Sequence, residues 1–445
     1  MKLTNNSLNL IPFFTKEENE DKDNDFQEPS KNLNKIMEHL YQDLLQTDSF
    51  LESLKQTKKK KIAIELYEIT VKKITNVYHI PKPKNFNTNS FPEKIRKHID
   101  ETCLTEICYT FSLFDRKITL YFITEEQDSK INLNVYNKYV DTIILWLYLL
   151  NEYASKKCSL YFTVYFYFTS LTKTLPSSAV EILNEHHVNT AFTSTCPTDS
   201  EIIIYRKEEW LKVFIHETFH NFALDFSDMN TSRCNKRILE LFPVDSEVNL
   251  YESYTEFWAE IMNCCLCSFF LIKAKEKAKY HELGSASKSG FLLFKKFFVY
   301  FIDLERKYSC FQMVKALDFM GLEYKHLYKN DSKSELLRNT MYKEKTNVLS
   351  YYVIKTILLY NYPLFLQWCS QHNLSLLQFK KTDSNLMKFC DFIWKYHKTK
   401  PMMETVKGME IYLNELTLGL SRTSKNKNKK KYVLENMRMT ICELG

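Results

Sequence analysis

Glycine is nearly missing from this chain. Of 445 residues only 6 are glycine, and the first is Gly284. Residues 1 to 283 therefore lack the turns on which phosphate-cradling loops and dinucleotide fingerprints depend. The strand-to-helix elbow that presents a nucleophilic serine is excluded there for the same reason. The accompanying bias toward Lys, Asn, Ile, Tyr and Phe fits translation from AT-rich DNA. Long uncharged apolar runs are scarce too. "TIILWLYLL" (142 to 150) is too short to cross a membrane, and "FWAEIMNCCLCSFFLI" carries Glu260, so both read as core helices and no membrane contact is expected. The N-terminus "MKLTNNSLNLIPFFTKEENE" has too short an apolar run for a secretory leader.

Charge of one sign does not dominate either. A net charge of +7 permits contact with nucleic acid without demanding it. The 12 cysteines show no regular disulfide-type spacing, so the thiols are expected to be reduced and the protein intracellular: cytoplasmic, with the nucleus or a virion as further settings. Cys264, Cys265 and Cys267 lie in an apolar run without a second Cys/His pair at finger spacing, and read as buried thiols.

What is present is ample apolar mass, 44% of the chain, enough for two or three lobes. Residues 1 to 34 read as a disordered, acidic N-terminus. A helical region from 35 to 78 and a proline-containing linker, "IPKPKNFNTNSFPEK", follow and reach to about residue 100. Residues 101 to 275 read as an α+β core. "EICYTFSLFDRKITLYFITEE" predicts two strands around a turn at Asp115-Arg116. A helix, the aromatic strand "SLYFTVYFYFTSL" and the strand "SEIIIYR" come next. Residues 276 to 445 read as a mainly helical lobe with a basic loop at 421 to 431. That loop is either a solvated segment or a nuclear-targeting or nucleic-acid patch.

One stretch carries chemistry. In "KVFIHETFHNFAL" (212 to 224), His216 and His220 stand one helical turn apart on one face and can present two imidazoles to one ion. Glu217 lies about 100° round the helix, where its carboxylate flanks such an ion without binding it. Phe214, Phe219 and Phe222 make this a buried helix. Downstream, "NLYESYTEFWAEIMN" places Glu252, Glu256 and Glu260 at steps of four on an otherwise apolar helix. Carboxylates on so apolar a helix need a partner, and a divalent cation supplies one.

"VFIHETFHNF" resembles the signature of the zincin metallopeptidases. Metzincins place a glycine and a third histidine where this chain has Ala223 and Phe226. The aspartate branch also meets Phe226, with Asp225 and Asp228 out of register. The gluzincin branch, which takes a glutamate from a later helix, remains. "TEFWAE" resembles its pattern, which implies His216, His220 and Glu256 as zinc ligands, Glu217 as general base, and Glu260 bracing a ligating histidine from behind. The rival register has Glu252 as ligand with Glu256 behind it. Overall character is similar to zincin-like proteins of large DNA viruses. The resemblance covers about residues 200 to 263. It implies a small mixed sheet with active-site helices, Zn2+ as cofactor, and a peptide or protein substrate cleaved by a zinc-activated water. Tyr351 or Tyr352 is the expected oxyanion stabiliser. The segment Asn189 to Thr193 or the strand after it is the edge on which an extended peptide would lie. Adjacent His186 and His187 diverge and are poor co-ligands. Two other readings stay open: a catalytically silent zincin-like structural or virion protein, and a nucleic-acid binder using the basic loop.

Overall fold

The computed structural model describes residues 1–15, 31–59, 66–84, 86, 88, 90–278, 288–420 and 427–445. It is a mixed α/β structure built on one open six-stranded sheet in the order β1-β2-β3-β4-β6-β5. β1 (Glu68–Lys73), β2 (Thr105–Leu113) and β3 (Arg116–Thr124) run antiparallel. β4 (Tyr161–Phe168) and β6 (Asp199–Ile204) continue parallel to β3. The short β5 (Ala191–Thr193) closes that side antiparallel to β6. The helix Leu133–Tyr153 makes the connection from β3 to β4 that a parallel pair requires.

Alternation along the strands separates two apolar layers. Phe162, Val164, Phe166 and Phe168 of β4 point into the main core, where Ile202 and Ile204 of β6 join them. Tyr165, Tyr167, Ile203 and Tyr205 point to the other face, beneath Phe86, Phe91, Ile95 and Ile99. The proline-containing linker thus lays its aromatics on the sheet. Apolar side chains from every part of the described chain, Leu10, Leu40, Trp146, Phe257, Phe365 and Ile441 among them, belong to one buried cluster.

Several expectations are revised. The helix from the N-terminal region covers Lys31–Lys59, and Glu68–Lys73 within the expected helical stretch is β1, because "EITVKK" is rich in β-branched residues and finds the free edge of β2. Part of the N-terminus expected to be disordered is ordered: Asn5–Leu10 is helical, and Leu10 and Phe14 are buried. Residues 16–30 lie outside the described residues. The β2–β3 turn falls at Phe114-Asp115, one residue early. Of the expected basic loop, residues 421–426 lie outside the described residues, while 427–431 open the helix Lys427–Glu435. The helix Leu250–Ala278 contains a stretch, Leu250–Lys275, apolar and long enough to span a membrane, but 78% of its most apolar window is buried inside the protein.

The expectation of wholly reduced thiols fails at one pair. Cys158 and Cys196, 38 positions apart, form a disulfide with their Cα atoms 4.7 Å apart. Their spacing is uninformative because the loops before β4 and after β5 meet only once the sheet is assembled. The other cysteines, Cys264, Cys265 and Cys267 included, are buried thiols.

Candidate metal centre

β6 leads into the histidine helix, Trp210–Asn221, buried along its whole length. Its start is fixed from outside. Glu209, at a left-handed φ of 60°, stands immediately before the helix, and its side chain makes no capping bond to it. The Glu209 carboxylate accepts the backbone N–H groups of Met439 and Thr440 at 2.7 and 2.6 Å. Its end is a tight reversal. Ala223 has φ 57°, with Leu224 N–H donating to Phe219 C=O at 2.9 Å and Ala223 N–H to His220 C=O at 3.0 Å. This is the paired-bond helix stop that usually ends in glycine. With no glycine available in this half of the chain, alanine takes the left-handed position at a cost. Ala223→Gly is expected to stabilise the protein by about 0.5–1 kcal/mol, the relieved steric cost less the added freedom of the unfolded chain. Equal or lower stability in denaturant unfolding would refute it.

The reversal delivers Asp225 to the Nδ1 of His220, a buried contact. On the other imidazole, Nδ1 of His216 lies 2.9 Å from Glu256 Oε2. A carboxylate can only accept, so both Nδ1 atoms carry a proton, and the Nε2 atoms are the ring nitrogens left to face each other. These two Nε2 atoms are 3.1 Å apart. Glu252 Oε2 completes the triangle, 3.1 Å from His216 Nε2 and 3.3 Å from His220 Nε2. Two ring nitrogens and a carboxylate oxygen this close together call for positive charge among them, as protons on the Nε2 atoms or as a cation in their place. Ligands at 2.0–2.1 Å around a tetrahedral ion stand about 3.3 Å apart, which is the size of this triangle. Among the described residues, His216, His220 and Glu252 are the one group of donors close enough to share an ion.

The carboxylate within reach of both Nε2 atoms is Glu252, while Glu256 lies against Nδ1 of His216. The two helices cross antiparallel as matched stripes. Lys212 pairs with Glu256, His216 contacts Glu256 and Glu252, and His220 contacts Glu252. Buried Lys212 takes Glu256 as its counter-ion, and Lys355 lies 3.7 Å from the same carboxylate. Glu256 thus braces His216 from behind. Glu260 does not reach a histidine. It lies 3.6 Å from Lys355, and its two oxygens accept no hydrogen bond. Burial and neighbouring Glu305 push its pKa well above the usual carboxylate range.

Charge at the centre follows the same geometry. Burial acts against the imidazolium of His216, but hydrogen bonds to Glu252 and Glu256 outweigh it and raise the pKa. In His220 burial is overcome by Asp225 and Glu252. Burial also opposes ionisation of Glu252, yet the two histidines hold its pKa far below the ordinary value. Each group is thus poised to keep positive charge in the triangle.

Glu217 behaves differently, its pKa pushed up to about 7 by burial. It lines a cavity of about 30 Å³ with His216, Asn189, Ala191 and Tyr351. That volume holds a water molecule. The Tyr351 hydroxyl donates to Glu252 Oε2 at 3.0 Å, so this tyrosine belongs to the site. Tyr352 does not, since its hydroxyl donates to Met437 C=O at 2.8 Å. Both sit in a π-helical stretch, Leu349–Ile354, which turns adjacent side chains to different neighbours. β5 runs along the margin of the sheet beside this cavity. Glu344 bridges to Leu183, and Thr346 Oγ1 donates to Asn189 Oδ1 at 2.9 Å, so the segment before Tyr351 crosses near that margin. His186 and His187 stand apart from the metal group. His187 is buried and helps cap its short helix, while His186 is half-buried.

Comparison of the chain with protein families, with curated proteins and with solved structures finds no match. The site's residues carry the argument alone. Two of them escaped sequence reasoning, Lys212 and the bracing role of Asp225. Lys212 was legible in principle, since a lysine in phase with His216 and His220 on an apolar helix calls for a buried carboxylate.

Proposed function

We propose that this protein is a zinc-dependent metallohydrolase that cleaves peptide bonds. The observation that carries the reading is the convergence of two Nε2 atoms and one carboxylate oxygen within reach of one ion, with an unligated Glu217 beside them. Two imidazoles and a carboxylate suit zinc and leave a fourth position open. Zinc held by these three donors would supply Lewis acidity toward a carbonyl and lower the pKa of a bound water to about 7. The protein does the rest. Glu217, with a pKa near neutrality, accepts the proton of a water in the adjoining cavity and returns it to the leaving amine. The Tyr351 hydroxyl, now on Glu252, is close enough to turn toward an oxyanion. The margin strand β5 offers backbone groups to an extended substrate. A zincin-like core remains part of this proposal, as does a viral setting.

A second reading has its own support. His216, Glu217 and His220 are at most 8% exposed, and 30 Å³ admits no peptide without movement. A metal that only holds two helices together fits that burial. Two measurements on purified protein separate the readings. About one zinc per chain together with cleavage of a peptide library is the expected result. Zinc without cleavage selects the structural reading, and absence of zinc ends both.

A further inference from the structure

The disulfide is tied to the metal centre by hydrogen bonds from both of its loops. One route runs through the end of the histidine helix. Cys196 N–H donates to Asn221 C=O at 3.2 Å, and Ser159 Oγ donates to the Asn221 side-chain oxygen. Asn221 Nδ2 returns bonds to Thr193 Oγ1 and Ser194 C=O at 2.9 and 3.3 Å. Asn221 follows His220 directly in sequence and is fully buried. The second route reaches the same imidazole from the other side. Thr195, next to Cys196, has its hydroxyl 2.8 Å from that of Ser227. Ser227 donates to Asp225 Oδ1 through its hydroxyl at 2.9 Å and its backbone N–H at 3.2 Å. Asp225 holds Nδ1 of His220.

The loops are not in a relaxed conformation on their own account. Ser159 and Cys196 both occupy left-handed backbone at φ 58° and 50°. Such conformations persist in non-glycine residues only where the surroundings enforce them. The covalent bond and the grip on Asn221 are that enforcement.

Access is one-sided. Cys158 is buried, Cys196 is half-buried, and exposed Lys156 and Lys157 precede Cys158. Arg116 Nε donates to Cys158 C=O at 3.3 Å. An incoming thiolate meets Cys196 first, which makes Cys158 the leaving thiolate.

We propose that Cys158–Cys196 is a redox-modifiable site that sets how tightly the centre holds its metal. This rests on the metal reading above but not on peptidase activity. The chemistry is thiol–disulfide exchange with a dithiol. The dithiol's first thiolate attacks Cys196 Sγ, forming a mixed disulfide and releasing Cys158 thiolate. Its second thiolate attacks its own sulfur in the mixed disulfide, releasing Cys196 thiolate and closing the reagent's disulfide. Two electrons pass from the dithiol to the protein, and its two protons end on the two cysteines. Once reduced, the loops are free to relax, Asn221 and Ser227 lose their fixed partners, and Asp225 holds His220 less firmly. Loosening a group behind a metal-bound histidine typically costs about 10- to 100-fold in metal affinity. The lower end is expected here, because Asp225 itself stays in place.

The test uses the full-length protein loaded with zinc. Alkylation and mass mapping first establish the oxidation state of Cys158 and Cys196. Zinc release to a chromogenic chelator is then timed before and after reduction by dithiothreitol. Release is expected to quicken about 10-fold on reduction and to slow again on reoxidation with glutathione disulfide. Cys158→Ser/Cys196→Ser should release zinc quickly and ignore the reductant. Should that variant not fold, Ser227→Ala keeps the disulfide, cuts one route, and should show a smaller response to reduction. Linkage adds a reciprocal readout, since bound zinc should make the disulfide harder to reduce by the same factor. Equal release rates from verified oxidised and reduced wild type would overturn the proposal and leave the metal site standing. Two freely alkylated thiols in unreduced protein would overturn it as well. Failure of oxidised wild type to take up zinc would defeat the metal reading itself.

Discussion

Glu252→Ala is expected to empty the metal centre. Zinc content should fall from about one per chain to near zero, because two histidines alone do not complete the three-ligand set of a catalytic site. Glu256→Ala should behave differently. It leaves all three donor atoms in place and removes the carboxylate behind His216, so zinc should still bind with affinity lowered about 10- to 100-fold. A complication is built into that variant. Lys212 would be left as a buried cation without its main partner, so some loss of stability accompanies the weaker binding. Glu256→Gln keeps the shape and separates the two effects, since melting then reports on Lys212 and metal analysis on His216. Metal analysis of purified protein decides the register. If Glu256→Ala were metal-free and Glu252→Ala metal-replete, the order of the stripe would have to be shifted by one turn.

The other large effect concerns Glu217. Glu217→Gln is expected to bind zinc as the wild type does and to lose hydrolysis by about 10²–10⁴-fold, the usual range for a positioned general base. The amide matches the carboxylate in shape but cannot take up the proton. Glu217 is not among the donors of the metal triangle, which is why metal content should be unaffected. Its burial, which pushes the pKa to about 7, suits the role. A peptide-library digest reads the outcome. Unchanged cleavage by this variant would remove Glu217 from the mechanism, and zinc loss would mean that its carboxylate supports the ligands directly.

The pairing of the two helices shows where reading a sequence stops. Steps of four placed Glu252, Glu256 and Glu260 on one stripe, and His216 with His220 on another, because helical geometry is local. Which glutamate meets which histidine is not local. It depends on the direction in which the helices cross and on what else occupies the facing stripe. Lys212 decides it by drawing Glu256 one turn away from the triangle. A resemblance to a motif offered the neighbouring register because it weighed the glutamates against each other and not against the lysine. Tyr351 and Tyr352 make the same point on a smaller scale. Both were candidates, and the π-helical backbone turns one to Glu252 and the other to Met437.

The amino-acid sequence by itself determined the elements that build the site. Those are the aromatic and β-branched strands, the apolar helix carrying His216, Glu217 and His220, and the glutamate stripe. Periodicity over a few residues and side-chain chemistry are enough for these. Only the tertiary structure decided that Glu252 closes the triangle, that Asp225 and Glu256 face the Nδ1 atoms, and that Cys158 bonds Cys196. Each of those depends on groups far apart in the chain reaching hydrogen-bond or bonding distance. Such distances are set by how sheet and helices pack, which no local pattern encodes.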